Sequence, residues 1–319
     1  MRAIVARWER HQVLLFLVSI GVGVGGGLLL PSAAAHLESV IIPALGALLF
    51  ATFLAVPFTA IGRGFADGRF IGVVLALNFL VVPVVVFCLS RVVAADRALL
   101  VGVLLVLLTP CVDYVIVFAG LAGGDRTRLL AVTPVLMLLQ LVLLPPLLWL
   151  FAGPDAAAAF DPQPFLVAFL LLIVLPLALA FLTQLLARRY AAARAVENAG
   201  SAAMVPLMML TLAAVVGSQV SAIGDELTDV LITIPIFLAF AVIMAVIGTM
   251  LSRTAQLDVP GRRAAVFSGV TRNSLVVLPL ALALPEPFAL APLVVVTQTL
   301  VELAVMVTMV ALVPRLIRR

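Results

Sequence analysis

The chain has 319 residues, of which 65% are hydrophobic and only 11% charged, and its mean hydropathy is +1.33. A soluble domain carries roughly 45–50% apolar residues, so this composition excludes an ordinary water-soluble domain and implies a polytopic membrane protein in contact with a lipid bilayer. The net charge of +4 is explained by topology and implies no nucleic-acid partner.

Apolar runs of about 20 residues, the length needed to cross a bilayer as helix, fall at 12–30, 40–61, 70–92, 98–120, 129–151, 164–187, 202–223, 230–251, 264–284 and 288–313. The expected fold is therefore an all-α polytopic membrane protein of ten transmembrane helices. The charges check this count. Arg2, Arg7 and Arg10 precede the first span, and alternate loops hold Arg63 and Arg69, Arg126 and Arg128, Arg188, Arg189 and Arg194, then Arg253, Arg262 and Arg263. Arg315, Arg318 and Arg319 close the chain. The other loops hold only Arg91 and Arg97 and collect Glu38, Asp155, Asp161, Asp225, Glu226, Asp229 and Glu286. Basic residues mark the cytoplasmic side, so both termini are expected there, with the chain a multi-pass protein of the cell membrane. His11 and His36 sit at span edges and read as interfacial residues.

Ten spans divide into two sets of five, residues 1–155 and 156–319. An odd number in each half gives the halves opposite orientation, the inverted-repeat arrangement of many secondary transporters. An offset of 162 residues sets Thr109 on Thr271, Pro110 on Arg272, Cys111 on Asn273, Asp113 on Leu275 and Gln140 on Glu302. The polar interruptions of the fourth and ninth spans then coincide.

The first interruption is Leu107-Leu108-Thr109-Pro110-Cys111-Val112-Asp113-Tyr114-Val115. Proline removes a backbone donor, and an aspartate at the centre of a span costs about 2.5–3.5 kcal/mol on the insertion scale. The second, Val270-Thr271-Arg272-Asn273-Ser274, offers a positive charge to match. Irregular backbone is tolerated at membrane depth only where it faces protein or a cavity. The two breaks are therefore expected to meet near the bilayer midplane and to form a translocation site, with Arg272 as the partner of Asp113. That pair reads either as a neutralising pair alone or as a coupling and gating device.

Cys111, one residue past the proline, is a soft ligand suited to thiophilic species or else a small buried hydrophobe. Asn78, Thr109, Gln140, Asn273, Ser274, Gln298 and Glu302 are candidates to line the cavity, or to make interhelical hydrogen bonds. Cys88, with no polar neighbour in its run, reads as structural. No HExxH, CxxC, Walker or dinucleotide pattern occurs, so no cofactor is expected. No span carries a histidine base for Cys111 or a second aspartate for Asp113, so the chain does not read as an enzyme.

Several stretches together resemble the arsenical-resistance permeases, which export arsenite and belong to the bile acid:sodium symporter superfamily. Pro110-Cys111 with Val115-Ile116-Val117 and Leu121-Ala122-Gly123-Gly124-Asp125-Arg126 is similar to their fourth span. Leu77-Asn78-Phe79 with Pro83 is similar to the third, Gln140 with Pro146 and Trp149 to the fifth, and Leu300-Val301-Glu302 with Val305 to the tenth. The resemblance implies a ten-span inverted-repeat carrier with crossed, broken fourth and ninth spans that moves trivalent arsenic or antimony outward against protons, with Cys111 as the metalloid ligand.

The ninth span departs from that pattern. Of the family's paired asparagines only Asn273 survives, and its glutamate becomes Leu275. In the sodium-coupled branch, a sodium-binding glutamate aligns near Ser268 and a glutamine with Arg272. A guanidinium there disfavours sodium, since two cations repel. The expectation is an exporter of arsenite or antimonite by proton antiport. Cys111, Asn273, Arg272 and Glu302 would bind substrate, and Asp113 with Arg272 would couple it. The alternative is an organic-anion, bile-acid-like symporter of the same fold, in which Arg272 holds a carboxylate.

Overall fold

The computed structural model describes residues 2–30, 32, 34–54, 67–112, 114–153, 167, 170–219 and 230–318. Among them the chain is helical, with one isolated β-bridge as its only extended pairing. In order, the helices are α1 (Arg2–Leu29), α2 (Ala34–Leu54), α3 (Gly68–Val93), α4 (Arg97–Leu107), α5 (Tyr114–Leu121), α6 (Arg126–Ala152), α7 (Leu175–Ala187), α8 (Ala191–Gln219), α9 (Thr233–Thr254), α10 (Val259–Val270), α11 (Ser274–Leu282) and α12 (Ala291–Leu316). By length and composition, Gly68–Val93, Arg126–Ala152, Thr233–Thr254 and Glu286–Leu316 can each cross a membrane, and the bent pair within α8 would make a fifth span. The chain is thus a multi-pass membrane protein.

The chain forms two compact units, Met1–Phe58 with Gln163–Leu227, and Thr59–Pro162 with Thr228–Arg319. Each draws on both halves of the sequence, so the compact units are not the sequence repeats. The boundary at residue 155 lies outside the described residues.

The first unit holds α1, α2, α7 and α8. Small residues bring its helices close, as in membrane bundles generally. A methyl at Gly23 would lie 2.8 Å from the Ala213 carbonyl oxygen, and one at Gly217 would lie 2.8 Å from Leu37. Gly21, Gly25 and Gly26 of α1 meet nothing within 4 Å, so the close packing at Gly23 does not extend to them. Helix α8 begins eleven residues before the expected span at 202, because Ala191-Ala192-Ala193 is strong helix-forming sequence and the polar residues after it do not break it. Its Arg194 donates back to the Ala187 carbonyl at 3.2 Å, satisfying the end of α7.

The second unit holds the remaining helices. Aspartates start several of them: Asp67 accepts from the Phe70 N–H at 3.0 Å, Asp96 from Ala98 and Leu99 at 2.9 and 3.0 Å, and Asp125 from Arg128 at 3.1 Å. The Arg128 side chain then reaches Asp67 at 3.2 Å, Asp125 at 3.3 Å, and Asp258 at the start of α10, tying three helix starts together. The turn Gly123-Gly124-Asp125 stops α5 and starts α6, with Gly123 at φ +71°, a conformation that favours glycine.

In α3 a π-turn spans Leu77–Val81. Pro83 has no N–H to give the Phe79 carbonyl, and the widened turn accommodates its ring. It sets Asn78 into the interior, fully buried.

Every residue from Ala98 to Val112 is buried, as is every residue from Ala264 to Ser274. A helix apolar all round belongs in the middle of a bundle. The two interrupted spans, α4–α5 and α10–α11, are therefore the core of this unit.

Candidate functional site at the crossing of two broken helices

Both interruptions begin with a threonine that bonds its own helix. The Thr109 hydroxyl donates to Leu105 O at 2.5 Å, and that of Thr271 donates to Phe267 O at 2.7 Å. A hydroxyl bonded four residues back competes with the helical ladder and bends the helix; a proline follows Thr109, and Thr271 itself is extended. Beyond the breaks Asn273 caps α11, accepting from the Val276 N–H at 3.3 Å.

The loose ends meet. Pro110 and Arg272 form an antiparallel bridge. The Cys111 N–H donates to Thr271 O at 3.3 Å, and the Asn273 N–H donates to Thr109 O at 2.9 Å. Backbone groups freed from two helices thus satisfy one another, the condition for irregular chain in a membrane interior. The register is informative: Pro110 and Arg272 are 272 − 110 = 162 residues apart, the offset that aligns the two interruptions in sequence. The same offset carries Thr109→Leu105 onto Thr271→Phe267, and each cross-strand bond onto the other.

Arg272 is the largest fully buried side chain here, at 0% exposure. Its Nη2 donates to Asn78 Oδ1, Ser268 O and Gly269 O, each at 2.8 Å, and Nη1 donates to Leu107 O at 3.3 Å. The guanidinium carbon stands 5.3 Å from the Phe240 ring centre. The carbonyls belong to the last turns of α4 and α10, where the helix dipole is negative and acceptors lack helical partners. Asn78 is held by its own donors, which reach Val74 O at 2.9 Å and Ser268 Oγ at 3.1 Å.

Glu302, 4% exposed on α12, accepts through Oε2 from the Arg272 backbone N–H at 2.9 Å and from Gln298 Nε2. A cavity of about 10 Å³ adjoins it, lined by Leu107, Phe237, Phe240, Val270 and Gln298 among others, with room for about one water-sized group. Among the described residues, the buried atoms Gln298 Oε1, Gln140 Oε1 and Ser274 Oγ have no hydrogen-bond partner. Asn273 Nδ2 reaches the Met137 sulfur at 3.9 Å, and Gln140 lies three residues further along α6 from Met137, on the same face.

Of the residues singled out in sequence, Asn78, Arg272 and Glu302 form one hydrogen-bonded network, and Thr109, Cys111 and Asn273 form the crossing itself. Ser274 starts α11, while Gln140 faces inward from α6. Asp113 lies outside the described residues, and so does its expected contact with Arg272. Cys111 is buried and Cys88 exposed, and neither is part of a disulfide. Phe240 and the carbonyls of Leu107, Ser268 and Gly269 were not singled out as partners of Arg272. Main-chain acceptors leave no trace in side-chain identity, and a phenylalanine in an apolar run looks like any other.

The profile of the Sodium Bile acid symporter family matches residues 42–226, more than half of the chain. The chain belongs to this family. Its members are transporters that move small solutes across a lipid bilayer and are not enzymes. The matched stretch contains the first interruption and ends before the second, so Arg272 and Glu302 lie outside it. No curated protein matches the chain.

Proposed function

We propose that this family member is a secondary transporter exporting a trivalent metalloid, arsenite or antimonite, in exchange for protons. The observation that carries the reading is the Cys111 thiol, 1% exposed, at the point where the two broken helices pair. Trivalent arsenic is thiophilic and in neutral water carries hydroxyl groups. A soft sulfur ligand in a unit that also buries polar atoms with no hydrogen-bond partner among the described residues, Ser274 Oγ and Gln140 Oε1, suits such a solute better than an apolar one. Asn273 completes the set, and Glu302 and Asp113 are the acidic groups for proton coupling with Arg272 as their counter-charge. In this reading ten spans form two inverted halves, residues 1–155 and 156–319, with both termini on the cytoplasmic side of the cell membrane. The register of the bridge between Pro110 and Arg272 supports that symmetry.

The family description favours a second reading, symport of an organic anion with sodium. It needs a positive group free to meet a carboxylate. Arg272 turns its terminal nitrogens to Asn78, Ser268, Gly269 and Leu107, which weighs against that use.

Expression in an arsenite-sensitive bacterium tests the choice. Resistance that Cys111→Ser abolishes and Cys88→Ser leaves intact is the expected result. Full sensitivity despite membrane expression, together with sodium-driven uptake of a bile-acid-like anion, would replace the metalloid by the anion.

A further inference from the structure

We infer that Arg272 is a tethered cation filling an oxygen cage that otherwise suits a free monovalent cation, so that the crossing in this chain is held without sodium. The inference concerns the crossing itself and is independent of which solute is carried.

The donor set points to this. Nη2 carries two hydrogens, yet three oxygens lie 2.8 Å from it, those of Asn78, Ser268 and Gly269. Acceptors outnumber protons, so charge holds the group in place as much as directed hydrogen bonds do. With Leu107 O added, three backbone carbonyls and one amide oxygen surround it among the described residues, hard donors of the kind that bind hard cations. Three of them come from the ends of α4 and α10, and the C-terminal ends of half-helices and unwound carbonyls are the usual sodium ligands of carriers built on interrupted helices. The Phe240 ring face closes one side. Sodium, the partner implied by the family description, does not fit beside the guanidinium: the oxygens that would hold it are bonded to a charge of the same sign.

The cage lies within the second compact unit, and its helix ends must be bridged by some positive group whether or not the protein is carrying solute. In this chain that group cannot dissociate. Its presence uncouples the integrity of the crossing from the sodium concentration outside.

The test is chemical rescue of the purified full-length chain, read as the thermal unfolding midpoint in sodium, guanidinium or choline chloride at equal ionic strength. Wild type is expected to be indifferent to the choice of cation. Arg272→Ala should melt lower by about 2–4 °C or more, and sodium or millimolar guanidinium, but not choline, should restore the midpoint. Arg272→Lys, which keeps a charge at the site, should fold and ignore sodium. The inference is overturned if Arg272→Ala shows no cation-specific recovery, or if wild type or Arg272→Lys is stabilised by sodium over choline. It also fails if the neutral Arg272→Met is as stable as wild type in choline. The readout involves no transported solute, so failure here leaves the metalloid reading standing, and failure of the resistance assay leaves this one.

Discussion

Pro110 and Arg272 stand opposite one another in an antiparallel bridge across the two interrupted helices, and they are the two residues that an offset of 162 positions superimposes. Proline cannot use its nitrogen as a donor, so its own break in the ladder is unavoidable. Arginine has no such backbone defect, and its position is open because its side chain turns back to cap the two helices that end there. One break is thus enforced by what a residue lacks, and the other by what a residue brings.

The matched hydroxyls should contribute alike. Thr109→Val and Thr271→Val each remove a buried bond to the carbonyl four residues back, worth about 0.5–1.5 kcal/mol. Because the two segments are hydrogen-bonded to each other, the double variant should depart from additivity, as neighbouring sites do. Thermal unfolding of the two single variants and the double one measures this. Strictly additive losses would show that the two bends do not sense each other.

Asn78 is expected to matter through charge. Its Oδ1 accepts from Arg272 at 2.8 Å, and a hydrogen bond to a charged group is worth about 1.5–3 kcal/mol. Asn78→Leu, similar in size, should lower stability by that amount, whereas Asn78→Asp should keep the acceptor and retain most of it. Equal loss in both variants would assign the role of Asn78 to its amide donors instead.

Much of this arrangement is legible in the sequence. The positions of the breaks follow from Thr109-Pro110 and from a charge inside an apolar run, and their meeting follows from the need to satisfy freed backbone. The partner of Arg272 is a different matter. Charge counting pairs Arg272 with Asp113, a contact that lies outside the described residues; among the described ones the guanidinium also meets carbonyls and an amide oxygen, and the nearby carboxylate of Glu302 meets its backbone N–H. Charge counting is blind to dipoles, and the ends of two helices supply partial negative charge that no side-chain identity records. The compact units were also hidden, because which helices pack together depends on faces that differ little among uniformly apolar spans. The extra length of α8 before residue 202 was masked by its polarity.

Close packing of α4 on α12 gives a sharp contrast between two glycines. A methyl at Gly102 would lie 2.8 Å from Val294 Cβ and 3.1 Å from Ala291 Cα, whereas one at Gly72 meets nothing within 4 Å. Gly102→Ala should therefore cost about 1–3 kcal/mol through overpacking. Gly72→Ala, in a helix and unobstructed, should be neutral or stabilising by roughly 0.5–1 kcal/mol. A melting comparison decides it, and a tolerated Gly102→Ala would mean that α4 and α12 can separate freely.

Glu302 separates a structural from a transport role most cleanly. Its Oε2 accepts from the Arg272 N–H and from Gln298, and it borders the small cavity beside Phe237 and Phe240. Glu302→Gln preserves an acceptor oxygen and the volume but can no longer exchange a proton. Glu302→Ala removes the acceptor and leaves a buried N–H unsatisfied, at a cost of about 1–3 kcal/mol. Glu302→Gln should therefore fold nearly as well as wild type, with Glu302→Ala distinctly less stable. In proteoliposomes loaded with arsenite, flux through the wild type should respond to an imposed proton gradient. Glu302→Gln should carry solute at a rate that no longer follows that gradient, because an amide neither takes up nor releases the proton that a carboxyl exchanges. Gradient-driven flux that survives Glu302→Gln unchanged would remove this carboxylate from the coupling step and leave Asp113 as the acidic group to test.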